Sequence, residues 1–166
     1  LEYVEQPCRT VDELARLRVH VDVPIAADES IRLATDPLEV ARRGAADIAV
    51  IKVGPLGGVW HALTIATECG LPVVVSSAVD TSIGLAAGLA LAGALPELPY
   101  ACGLATGRLF TDDVVADPLL PVDGEIAVRR PEPDPVALAR TAAGPDLAAR
   151  WSDRMNRVVA LVTPGV

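Results

Sequence analysis

The stretch Ile48-Ala49-Val50-Ile51-Lys52-Val53-Gly54-Pro55-Leu56-Gly57-Gly58 decides how the rest of the chain is read. Its first four residues are apolar without alternation, the mark of a strand buried on both faces, as in a parallel sheet covered by helices. The strand is read as Ile48–Val53, with Lys52 interrupting its carboxyl end. A glycine-rich turn then leads into a helical pattern, Val59–Cys69, closed by Gly70. Working back from this strand, Asp36 and Pro37 read as the N-cap and first turn of a helix running to about Arg43, with Gly44 at its end. Pro24–Ala27 is a strand, and Val11 to about Arg18 is a helix opened by a capping box of Thr10 and Glu13. Leu1–Val4 is a first strand.

Working forward, Pro72–Val75 reads as a strand, Ile83–Leu95 as a helix hydrophobic nearly all round, and Tyr100–Cys102 as a fifth, weaker strand. Strand alternating with helix at this spacing predicts right-handed βαβ units on a parallel sheet. Beyond Thr111 the pattern changes. Pro118–Val128, with its Asp123-Gly124 turn, reads as a hairpin; Pro131–Pro135 is a linker; Pro135–Ala143 and Leu147–Val162 are helical. The expected organisation is therefore a partial (β/α) barrel over 1–110 and a tail over 111–166 packed on it.

Composition narrows the class. The 166 residues are 51% hydrophobic, too apolar for a disordered chain. With aromatics at only 3%, the core must be built from Ala, Val, Leu and Ile. A net charge of −8 without a basic cluster argues against nucleic acid or an anionic membrane as the main partner. The longest uncharged apolar run, Ile83–Leu95, falls short of the roughly 20 residues a membrane span needs. Cys8, Cys69 and Cys102 are odd in number and far apart, which reads as reduced thiols and a cytoplasmic location. The chain opens directly in strand-like sequence without an initiator Met, from which we expect an N-terminal segment to precede it.

Polar residues interrupt the strands at regular places. Glu5, Asp28, Lys52 and the pair Ser76-Ser77 stand at the carboxyl ends of four successive predicted strands. In parallel α/β folds that edge is where ligands bind. Two carboxylates converging there repel each other unless a cation lies between them, and oxygen ligands with open positions suit Mg²⁺. Lys52 is flanked by apolar neighbours, a setting suited to base chemistry. Carboxylates, Mg²⁺ and a lysine together fit proton abstraction next to a carboxylate.

Each residue also has a plainer reading. Glu5 suits a surface-loop acid before Gln6-Pro7, and Asp28 suits an N-cap before Glu29-Ser30. Lys52 suits an ion pair with either acid, and Ser76-Ser77 a cap of the next segment. Gly54–Gly58 lacks the spacing and the following lysine of a nucleotide loop. His20, His61 and the cysteines have no metal-type partners in sequence and are read as structural.

Val4-Glu5-Gln6-Pro7, Ala27-Asp28-Glu29-Ser30, Ile51–Gly58 and Val75-Ser76-Ser77-Ala78-Val79-Asp80 resemble, in order, the motifs of the enolase superfamily. They look most like its muconate-lactonizing subgroup and, within it, the actinobacterial o-succinylbenzoate synthases. Tyr100-Ala101-Cys102-Gly103-Leu104 and Pro121-Val122-Asp123-Gly124 share the likeness. The resemblance implies a capping domain plus a (β/α)₇β barrel, of which this chain supplies about strands four to eight with the C-terminal tail. It implies Glu5 and Asp28 as Mg²⁺ ligands, with Mn²⁺ as a substitute, and Lys52 as proton acceptor or as a cation beside the developing enolate. Ser76, Ser77 and backbone near Gly103 would hold the ends of a small-molecule carboxylate substrate.

The implied reaction is dehydration of 2-succinyl-6-hydroxy-2,4-cyclohexadiene-1-carboxylate to 2-succinylbenzoate, a lyase step of menaquinone biosynthesis, through a metal-stabilised enediolate. The chain departs from the family pattern in three ways: the first metal-binding Asp, the Lys-x-Lys pair of strand two and the capping domain are absent from its 166 residues. An N-terminal segment of the same polypeptide is expected to supply them. Two other readings stay open: an N-acylamino acid racemase or dipeptide epimerase of the same superfamily, and a non-catalytic half-barrel completed by a partner chain.

Overall fold

The computed structural model describes residues 1–33 and 35–162. Four strands, β1 (Val4–Glu5), β2 (Ile25–Ala27), β3 (Ile48–Lys52) and β4 (Val73–Ser76), lie in chain order in one parallel sheet. Four helices, α1 (Val11–Arg18), α2 (Asp36–Arg42), α3 (Val59–Cys69) and α4 (Ser82–Ala94), alternate with them. The register sets Val4 beside Ile25, Ala26 beside Ile48, and Lys52 beside Ser76. The first four strands read from sequence are thus present, each beginning or ending within a residue or two of its expected place.

The two faces of the sheet bury different residues, because side chains alternate along a strand. Ile25, Ala27, Ala49, Ile51, Val73 and Val75 join the core shared with the helices. Ala26, Ile48, Val50 and Val74 face the other way and pack with Tyr3 and Tyr100, whose rings meet edge to face with centroids 5.4 Å apart. Each fully buried Ile or Val contributes roughly 1.5–3 kcal/mol of burial free energy. Asp47 ties this sheet to its first helix: Arg18 Nε donates to its Oδ1 at 2.8 Å, and the Ile25 N–H donates to its Oδ2 at 3.0 Å.

α1 starts as its sequence dictates, with Thr10 and Glu13 forming a reciprocal capping box. The α2 start corrects the expectation. Asp36 is its first helical residue, the N-cap is Thr35, and the Asp36 carboxylate instead accepts the N–H groups of Arg32 (2.7 Å) and Leu33 (2.6 Å). This carboxylate closes the turn that leads into the helix, and its charge also lies in the helix's first turn. The fifth strand is also reduced, to one parallel bridge between Ser76 and Gly103, because a 3₁₀ turn, Ala105–Leu109, follows at once and carries the backbone away.

Beyond Thr111, the predicted hairpin forms as a tight turn. Asp123 (φ +51°) and Gly124 (φ +85°) lie between Val122 and Glu125, which exchange N–H···O bonds of 2.9 Å. Buried Asp113 reaches back to the start of α4. It accepts from the Ser82 N–H and, at 2.6 Å, from Ser82 Oγ, while Ser82 Oγ accepts from the Leu119 N–H at 2.8 Å. Val115, Leu119 and Ala137 bury their side chains, the last from α5 (Pro135–Arg140). Helix α6 (Pro145–Val162) buries none. Among the described residues no helix is long and apolar enough to cross a membrane.

Candidate active site

Because β1 to β4 are parallel, their carboxyl ends share one edge of the sheet. Glu5 is the last residue of β1, Lys52 of β3 and Ser76 of β4, and Asp28 follows β2 by one position. The structure therefore gathers the strand-end residues that the sequence singled out.

The Asp28 carboxylate is ion-paired with the Lys52 ammonium, and the two side chains are only 8% and 15% exposed. A second cation attends it. Arg32 places Nη1 3.6 Å from Asp28 Oδ1 and donates to the Asp28 carbonyl at 2.9 Å. Glu5 lies near enough that its carboxyl is pushed up from the ordinary value, first by partial burial and next by the Asp28 charge, with Lys52 pulling the other way. The strand ends thus carry two mutually repelling carboxylates, one of them buried, and positive charge drawn in to compensate. Lys52 is the only lysine in the chain; the remaining basic side chains of its 14 are arginines. Arginine stays charged in proteins while lysine can give up its proton. That contrast is readable in the sequence and strengthens the case for Lys52.

Gln6 carries no chemistry in the sequence reading, yet it organises this edge. Its backbone is in the left-handed region (φ +40°), which turns the chain sharply after Glu5. Its side-chain Oε1 accepts the N–H groups of Asp28 (2.9 Å) and Ser30 (3.2 Å), and its Nε2 donates to Ser30 Oγ (2.8 Å) and the Cys8 carbonyl (2.9 Å). No sequence signal marks it beyond its place between Glu5 and Pro7. Arg32 was likewise missed, since nothing in the sequence aims it at Asp28.

A cavity of about 170 Å³ opens beside Lys52 and is lined by Pro55, Ser76, Ser77, Asp80 and Gly84 among others. Asp80, quoted in the sequence only as the end of a motif and given no role, places a further carboxylate there. The expected substrate contacts divide. Ser77 Oγ donates to the Gly103 carbonyl at 3.0 Å and shares a 2.7 Å bond with Thr106 Oγ1. The Gly103 N–H is taken by the Val75 carbonyl and its own carbonyl by the Ser77 N–H. Ser77 and Gly103 thus join the two segments beside the cavity. Gly103 packs tightly on Ser76: a Cβ there would meet Ser76 Oγ at 2.6 Å, so one of the two would have to shift.

The donor set fits part of a magnesium site. Carboxylate oxygens are the hard ligands this ion prefers, and Asp28 and Glu5 present two at adjacent strand ends. Among the described residues no group of three or more His, Cys, Asp or Glu is placed to hold a metal.

The family model described as enolase C-terminal domain-like matches residues 1–136. The o-succinylbenzoate synthase of Thermobifida fusca (strain YX) is 64% identical over 155 residues, covering 93% of this chain and 48% of that protein. The protein of the same name from Mycobacterium ulcerans (strain Agy99) is 57% identical over 162 residues, covering 98% and 49%. The chain therefore spans about half the length of the curated relatives it matches. Among solved structures, the muconate lactonizing enzyme from Pseudomonas putida superposes with a TM-score of 0.79 at 28% identity, over 86% of this chain and 43% of that one. The chain belongs to the enolase C-terminal domain-like family.

Proposed function

We propose that the protein containing this chain is an o-succinylbenzoate synthase. It would dehydrate 2-succinyl-6-hydroxy-2,4-cyclohexadiene-1-carboxylate to 2-succinylbenzoate. The observation that carries the reading is the chain's only lysine, at the end of β3, in contact with Asp28 and beside a cavity. The 57% and 64% identity to proteins of that name favours this reaction over the racemase alternative.

In this reading Glu5 and Asp28 hold a divalent cation, Mg²⁺ or Mn²⁺. When bound, it would supply stabilisation of the negative charge that develops on the substrate carboxylate. Lys52 sits beside the carbon that loses its proton, as proton acceptor or as a cation next to the charge that forms. The hydroxyl leaves as water, and the ring becomes aromatic. Ser76 and Asp80 border the substrate's far end. The remaining metal ligand and a second lysine come from polypeptide outside this chain, and the enzyme works in the cytoplasm on a small carboxylate without nucleic acid or membrane.

The test is to offer the intact protein the cyclohexadiene substrate and an N-acylamino acid, each with Mg²⁺ and with chelator. Metal-dependent formation of 2-succinylbenzoate supports the reading. Racemisation without dehydration overturns it.

A further inference from the structure

We propose that Gln6 is a positioning residue that sets the metal affinity of the Glu5–Asp28 pair; the inference rests on the metal reading above. The two carboxylates belong to different strands, and only the parallel pairing of two short strands fixes their separation, with Glu5 beside Ala26. Past that pairing, Asp28 lies in the loop after β2, where no ladder bond holds it. Gln6 supplies the missing tie. It immediately follows Glu5, and its Oε1 accepts from the backbone N–H of Asp28 itself at 2.9 Å and of Ser30 at 3.2 Å.

The other end of the same amide is equally committed. Nε2 donates to Ser30 Oγ at 2.8 Å and to the Cys8 carbonyl at 2.9 Å. One planar group therefore holds the loop after β2 through three bonds and the loop after β1 through one. Its left-handed backbone (φ +40°) is what turns the side chain across the gap. The amide must be an amide: its oxygen serves two donors and its nitrogen two acceptors, so neither a carboxylate nor an aliphatic chain satisfies all four. Groups that orient metal-binding carboxylates typically change metal affinity by 10–100-fold when removed.

The experiment titrates the intact protein with Mn²⁺, read by electron paramagnetic resonance, in wild type, Gln6→Ala, Gln6→Glu and Ser30→Ala. Asp47→Asn serves as a control that lowers thermal stability away from the site. We expect Mn²⁺ affinity to fall at least tenfold in Gln6→Ala, less in Gln6→Glu, which keeps the acceptor, and least in Ser30→Ala. The control should keep wild-type affinity. Gln6→Glu and Ser30→Ala carry the test if Gln6→Ala does not fold. Wild-type affinity in the folded Gln6 variants, with the wild type binding Mn²⁺, overturns the positioning role and leaves the metal reading standing. A wild type that binds no Mn²⁺ overturns the metal reading itself and the positioning role with it.

Discussion

The Lys52 ammonium is ion-paired with the Asp28 carboxylate across the neighbouring ends of β2 and β3, two residues 24 positions apart in sequence. Both are largely withdrawn from water, so the charge of each depends on the other, and removing either leaves an uncompensated group. Arg32 softens that dependence for Asp28 but stands outside the contact with Lys52.

From this pairing follows a pair of substitutions with different signatures. Lys52→Ala is expected to lower turnover by about 10²–10⁴-fold, the usual contribution of a positioned acid or base, while leaving Mg²⁺ binding nearly intact. Asp28→Asn should weaken both. Steady-state kinetics with metal titration on the intact protein separates them, and Lys52→Arg distinguishes the two roles: retained turnover would mark Lys52 as a cation, lost turnover as a base.

Gly103→Ala is expected to destabilise the chain and displace Ser76, because the new Cβ would stand 2.6 Å from Ser76 Oγ and 3.2 Å from Ser76 Cβ. Adding Ser76→Ala removes the shorter contact and should recover part of the stability. Thermal melts of the two single variants and the double variant measure that coupling, which vanishes if the clash is not the cause.

Acid should unfold the chain partly through Asp47. The Arg18 hydrogen bond holds its carboxyl below the ordinary carboxylate value, with the Ile25 N–H assisting and burial opposing. A depressed native value gives stability that is full above the unfolded value of about 3.9 and is lost as pH falls through the native one. Asp47→Asn is expected to cost roughly 1–2 kcal/mol near neutrality. Urea titrations at stepped pH should show the gap from wild type closing below about pH 4.

Asp113→Ala is expected to cost about 2–3 kcal/mol, because it strips the buried Ser82 N–H and hydroxyl of their acceptor at the start of α4. Denaturant unfolding would register the loss. A cost within a few tenths of a kcal/mol would mean that the segment from Asp113 to Leu119 is not anchored through this carboxylate.

The sequence by itself determined the alternation of strands and helices and the edge where chemistry-bearing residues gather. The bounds of α1 and α3 and the strand ends at Glu5, Lys52 and Ser76 follow from short-range causes: apolar period, a capping box, a left-handed glycine at Gly70. The tertiary structure alone decided what each polar group touches. Asp28 could cap a helix or face a cation; folding gave it Lys52 and Arg32. Ser76 and Ser77 are chemically identical in sequence, and only the bridge to Gly103 turned the Ser77 hydroxyl toward Thr106. Gln6 had no visible task until β1 lay beside β2 and brought the Asp28 N–H within 2.9 Å. A hydrogen bond requires placement within a few tenths of an ångström, and for residues separated by more than 20 positions that placement comes from packing, which no local pattern encodes.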